Sequence, residues 1–134
     1  MSPTVTAAGS KYPKTARLLK HSDFQRVYQK GGRQFTGNMT IFFLRREPAN
    51  PEQRNLRVGL TVGKALGGSV ERNRIRRRMR EAVRLSLPKE EAAVDVVFNP
   101  RKDVLSLPFP DLRDEVSRGL RLAVQRARKA EQKP

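Results

Sequence analysis

Seven of the thirteen residues from Arg72 to Arg84 are arginine, and the apolar residues among them keep a helical spacing. At 100° per residue, Ile75, Met79, Ala82 and Val83 gather on one stripe, while Arg74, Arg76, Arg77, Arg78, Arg80 and Arg84 cover the rest. A segment of this kind leaves few options. It is a helix held to a partner layer by a narrow apolar stripe, with a cationic outer surface. Glu71 and Glu81 are the only acids nearby, too few to neutralise it. The absence of lysine adds meaning, because a guanidinium offers a planar fork to phosphate and never loses its charge.

The whole chain repeats the imbalance. Its 134 residues carry 29 Lys+Arg against 13 Asp+Glu, a formal charge of +16. That surplus calls for a polyanionic partner, and nucleic acid is favoured. An anionic membrane surface fits less well, since the basic segments lack Trp or Phe on an opposite face. With no cysteine and one histidine, His21, thiolate metal sites and multi-histidine zinc sites are excluded, and little is left for a Ser-His-Asp triad. No apolar run approaches the ~18–20 residues of a membrane span. The N-terminus lacks the apolar stretch of a signal peptide. The expectation is a soluble, cytoplasmic protein of one domain.

Residues 1–16 are expected to be a disordered basic tail, 17–128 the single domain, and 129–134 a frayed end. Ser22 and Gln25 fit a capping box opening a short helix with Phe24, Val27 and Tyr28 on one side, stopped by Gly31-Gly32. Residues 39–46 read as a strand, with 33–38 an early start to it. Glu47 to Asn55 reads as a loop. Leu56 to Val62 alternates clearly, leaving Arg57, Gly59 and Thr61 as a small polar row open to a ligand. Ser69 is the expected cap of the arginine helix, which Pro88 ends. Residues 92–99 form a further strand broken at Asn99-Pro100. Pro108 and Pro110 introduce a last helix with Leu112, Val116, Leu120, Ala123 and Ala127 as its apolar stripe. The class is α+β, with helices packed on one sheet.

Two clusters stand out chemically. Asn73 sits among arginines, where it either bonds locally or reads a ligand edge. The turn from Gly63 through Lys64 to Gly68 leads into a helix N-terminus that favours phosphate. Tyr28 and Phe42 are placed to line the open sheet face beside Arg57 and Thr61, a surface suited to stacking unpaired bases. Phe24 divides between core and groove. No carboxylates cluster as two-metal nuclease chemistry would need. Glu90 and Glu91 lie at a junction, Asp111, Asp114 and Glu115 open the last helix, and Asp95 stands alone on a strand. No catalytic or metal-binding residue is expected.

Arg57-Val58-Gly59-Leu60-Thr61-Val62-Gly63-Lys64 followed by Ser69-Val70-Glu71-Arg72-Asn73-Arg74-Ile75-Arg76-Arg77 resembles the protein component of bacterial ribonuclease P. Arg17-Leu18 and Asp23-Phe24-Gln25-Arg26-Val27-Tyr28 resemble that family's opening helix. The likeness runs over about residues 16–127. It departs at Ala65, where a basic residue is common, and in the Gly67-Gly68-Ser69-Val70 turn. The resemblance implies a two-layer α/β sandwich in α-β-β-β-α-β-α order with a left-handed βαβ crossover. It also implies an endoribonuclease holoenzyme whose RNA subunit cleaves with magnesium held mainly by RNA, the protein alone binding no cofactor. The implied partners are the ribonuclease P RNA and the 5′ leader of precursor tRNA, with no membrane and no DNA. By position, Lys64, Arg72, Asn73, Arg74, Arg76, Arg77 and Arg80 would contact the catalytic RNA. Phe24, Tyr28, Phe42, Arg57 and Thr61 would line the leader cleft. A ribosomal or assembly protein, a DNA-binding module and a membrane-surface protein are the alternatives that the charge alone leaves open.

Overall fold

A computed structural model describes residues 16–18, 20–47, 55–88 and 92–132, with side chains to residue 129. The helices are α1 (His21–Lys30), α2 (Ser69–Ser86) and α3 (Phe109–Gln132). The strands are β1 (Gly32–Phe35), β2 (Met39–Arg45), β3 (Arg57–Leu60) and β4 (Val94–Pro100). Most of the expected tail, the middle of the expected 47–55 loop, Glu90 and Glu91, and the last two residues lie outside the described residues.

The four strands form one mixed sheet in the order β1-β2-β4-β3. β1 and β2 are antiparallel, as are β2 and β4, and β3 runs parallel to β4. A parallel neighbour needs a crossover, and α2 supplies it. β4 is the central strand. Its Val-Asp-Val-Val-Phe run is buried on both faces, which explains a near-continuous apolar sequence.

Both helical stripes read from the sequence are buried. Ile75, Met79, Ala82 and Val83 of α2 and Leu112, Val116, Leu120 and Ala123 of α3 share one core with Met39, Ile41, Phe43, Val58, Val96 and Phe98. This helix layer on the sheet makes the main core of an α+β fold. The short α1 sits on the opposite face, where Leu18, Val27 and Val97 are buried beside Phe24, Phe42 and Leu44. Leu18 is tied in by its N–H to the Val58 carbonyl at 3.0 Å.

Four local expectations change. Ser22 does not cap α1. The cap is Lys20, whose carbonyl receives the N–H groups of Asp23 and Phe24 at 3.1 and 3.2 Å, and no side chain caps the helix. Ser69 is the first residue of α2, and Gly68 is its cap. The Glu71 carboxylate reaches back to the Gly68 N–H at 3.2 Å, which is the acid's half of a capping box, and the cap itself has no side chain to supply the other half. Asn99 and Pro100 do not break β4. They pair with Thr40 and Met39, with the proline as the strand's last residue, beyond the end of the pairing between β4 and β3 at Phe98. Residues 32–35 are a strand of their own, joined to β2 by a tight turn. The segment after β3 contains a 3-10 turn at Lys64–Leu66 and ends at Gly67, whose φ of 132° suits glycine alone.

Candidate nucleic-acid interface

The arginines of α2 divide by what they touch. Arg78 is fastened to the chain leading into α3: its Nε donates to the Val104 carbonyl at 3.1 Å, its Nη2 donates to the Leu107 carbonyl, and its guanidinium lies 5.9 Å from the Phe109 ring centre. Arg84 grips Glu81 through two hydrogen bonds of 2.7 and 2.5 Å, and that bonding holds the Glu81 carboxyl below its usual range. These two are structural.

Arg74, Arg77, Arg80 and Lys64 are exposed, with Arg72 and Arg76 half-buried. None of the six forms an ion pair among the described residues. Asn73, Arg76, Arg77 and Arg80 stand at i, i+3, i+4 and i+7 and therefore share a face. Asn73 accepts a hydrogen bond from Arg76 Nη1 at 2.9 Å, so its bond is to a neighbouring side chain. The Arg72 Nε is buried without a partner. Around the first half of α2, cationic donors point outward with no internal acid to satisfy them. The helix dipole adds positive potential at the same end.

The second region is the α1 side of the sheet, which the strand register organises into rows. The first row is Arg57, Asp95 and Leu44, the second is Gly59, Val97, Phe42 and Arg33, and the third brings Asn99, Thr40 and Phe35 level. Thr61 continues the third row past β3, its N–H bonded to the Phe98 carbonyl at 3.0 Å.

Each row has its own chemistry. In the first, Arg57 binds Asp95 with two bonds of 2.8 Å and stands 3.6 Å from Asp23. The bond to Asp95 raises the already high pKa of Arg57 further. Arg46 also donates to Asp95, and Arg26 donates to Asp23 at 3.0 Å. Arg57 thus belongs to an internal ionic cluster. In the second row, Phe24 covers Gly59 so closely that an added Cβ would lie 2.5 Å from the ring. The middle of the face is filled, and Gly59 is glycine because Phe24 needs the space. Tyr28 and Phe42 meet edge to face with ring centres 4.8 Å apart. In the third row the surface opens. The Tyr28 hydroxyl shares a hydrogen bond of 2.5 Å with Thr61 Oγ1 and donates to Asn99 Oδ1 at 3.1 Å.

The five expected cleft residues therefore separate. Tyr28, Phe42 and Thr61 come together at the open end, Phe24 is the half-buried floor, and Arg57 lies at the closed, ion-paired end. Asn99 joins the open group without having been anticipated. Its signal was parity with Val97 on β4, hidden by reading Asn99-Pro100 as a break. Asp95, expected to stand alone on its strand, holds Arg46 and Arg57, and Glu115, expected among the acids that open the last helix, has a longer-range role. Glu115 instead binds the β1–β2 turn, accepting from the Asn38 N–H and Asn38 Nδ2, each at 2.8 Å, and from the Thr36 hydroxyl. Burial acts to raise its pKa, but the bonds from Asn38 and Thr36 together with the nearby Arg118 charge outweigh it and leave the pKa lowered. Among the described residues no three His, Cys, Asp or Glu side chains form a group suited to a metal ion.

This arrangement has relatives. The family model described as Ribonuclease P matches residues 12–124. The chain is 44% identical over 108 residues to the ribonuclease P protein component of Chloroflexus aurantiacus, a match covering 80% of this chain and 76% of that protein. With the corresponding protein of Symbiobacterium thermophilum it shares 37% identity over 103 residues, covering 77% and 86%. Among solved structures, the RNase P protein of Staphylococcus aureus superposes with a TM-score of 0.65 at 27% identity, covering 81% of this chain and 94% of that one. That of Thermotoga maritima has the same fold at a TM-score of 0.62 and 23% identity, covering 81% and 96%.

Proposed function

The chain belongs to the ribonuclease P protein family, subunits of the endoribonuclease that processes precursor tRNA, and from that premise we propose a division of labour between its two exposed regions. The first half of α2, with Lys64, Arg72, Asn73, Arg74, Arg76, Arg77 and Arg80, docks on the catalytic RNA. The open end of the α1 groove, with Tyr28, Phe42, Thr61 and Asn99, receives the single-stranded 5′ leader. Phe24 shapes its floor, and Arg57 supports it from within the ionic cluster. The observation that carries this reading is the contrast in pairing: Arg26, Arg46 and Arg57 on the α1 side of the sheet are matched to Asp23 and Asp95, and the arginines at the start of α2 pair with no acid among the described residues.

Chemistry in this proposal stays on the RNA, with magnesium held there. Five carboxylates of the described region are engaged within the fold. Asp23 and Asp95 hold arginines, Glu81 holds Arg84, Glu71 holds the Gly68 N–H and Glu115 holds the β1–β2 turn. The protein works in the cytoplasm on RNA, with no role for DNA or a membrane. No helix among the described residues is long and apolar enough to cross a bilayer.

Cleavage of precursor tRNA at low magnesium tests the proposal, using the RNA subunit alone, the protein alone and the two together. The expected result is activity from the mixture, with a gain that depends on the leader. Cleavage by the protein alone would overturn it. Equal gain for substrates with and without a leader would remove the leader groove and keep the docking helix.

A further inference from the structure

We infer that Phe35, with Arg33 beside it, is a second stacking position for an unpaired base, at the far edge of the sheet from the arginine helix. The inference rests on the leader-groove reading above and extends it to residues outside that groove.

Phe35 lies opposite Thr40 in the β1–β2 register, and Arg33 lies opposite Phe42, so both project on the α1 side. Phe35 is 67% exposed, against 36% for Tyr28. One exposed aromatic ring is unremarkable by itself. Two further features single this one out. The first is charge: the Arg33 guanidinium stands 5.6 Å from the Phe35 ring centre, setting a cation for phosphate next to a stackable face. The second is rigidity. The turn that follows is pinned from two sides: Glu115 of α3 binds Asn38 and Thr36, and Arg101 gives its N–H to the Asn38 carbonyl at 2.9 Å and its guanidinium to the Gly37 carbonyl. The turn next to the exposed ring is thus held by a buried carboxylate.

The sheet order supplies the geometry. β3 leads through Lys64 into α2 at one edge, and β1 forms the other edge. A strand of RNA leaving the start of α2 would meet Thr61 and Asn99, then Tyr28 and Phe42, then Phe35. Strands ~4.8 Å apart make that path about 14 Å wide between outer strands. The RNA-recognition motif, also a four-stranded sheet, stacks two or three bases on its exposed aromatics. Phe35 therefore takes the base farthest from the catalytic RNA.

The test measures holoenzyme affinity for precursor tRNA with a single-nucleotide leader, with a leader long enough to cross the sheet, and for mature tRNA. The variants are Phe35→Ala, Phe35→Trp and Phe42→Ala. The expected result is a ~5- to 150-fold loss for Phe35→Ala on the long leader alone. Phe35→Trp restores binding, and thermal unfolding is unchanged. No loss at any length, with Phe42→Ala still impaired on the long leader, overturns the inference and spares the groove. Loss spread equally over all three substrates also overturns it, since Phe35 would then serve the fold or the RNA subunit. If neither alanine variant responds to the leader, the groove reading fails and this inference fails with it. If Phe35→Ala instead disperses a self-associated form of the chain, the ring covers a second copy and the inference falls.

Discussion

Arg46 and Arg57 converge on Asp95, which is 1% exposed, whereas Arg74, Arg77 and Arg80 form no ion pair among the described residues. The side chains are chemically identical, and their consequences are opposite. At the sheet, each guanidinium is half of a desolvated pair, and removing the acid leaves buried charge uncompensated. On α2, each keeps its hydration and its full charge, with no carboxylate paired to it among the described residues. A count of +16 does not distinguish these roles. What separates them is whether the fold brings a carboxylate within reach.

The sharpest way to break this comparison is Asp95→Ala. We expect it to destabilise the fold by about 3–5 kcal/mol in denaturant unfolding. Little change would mean that the cluster is solvated like a surface pair, and the contrast with α2 would vanish. Next is Glu115→Gln, expected to cost about 1–3 kcal/mol at neutral pH, because part-buried donors in the β1–β2 turn lose a charged acceptor. The Glu115 pKa is lowered on folding, so its contribution is present above the ordinary value of about 4.3 and lost as pH falls through the folded value. The gap between wild type and variant should therefore narrow in acid, and a gap independent of pH would point to packing alone.

Tyr28→Phe keeps the ring against Phe42 and removes the bonds to Thr61 and Asn99. The expected loss is about 0.5–1.5 kcal/mol of stability, read by thermal unfolding. A larger loss for leader binding than for stability would mark the hydroxyl as a contact to RNA. Smallest for the fold is Arg77→Ala, expected to shift stability by less than about 0.5 kcal/mol. Its effect belongs in the salt dependence of binding to the RNA subunit, where the slope of log K against log salt should fall by about one. An unchanged slope would return Arg77 to the class of idle surface charge.

Much of this architecture was legible in the chain. The stripes Ile75–Val83 and Leu112–Ala127 and the alternation on either side of Val58 depend on periods that any sequence displays. Burial followed where those periods pointed. The two exposed regions were legible in outline, because a helix with more arginine than nearby acid cannot neutralise itself. Helix caps were less so: Gly68 with Glu71 replaced the hydroxyl cap expected at Ser69, since a cap depends on the entry angle of the chain.

The sequence by itself determined the periodic elements and the cationic helix, properties of neighbours a few residues apart. Only the tertiary structure decided which charges are spent internally. Arg57 meets Asp95 because β3 lies parallel to β4 in one particular register, and Glu115 meets Asn38 across 77 positions of chain. The same register set Tyr28, Thr61 and Asn99 around one hydroxyl and left Phe35 on an open edge. Those pairings are long-range. No local pattern encodes them, because they exist only once the sheet has brought distant segments to hydrogen-bonding distance.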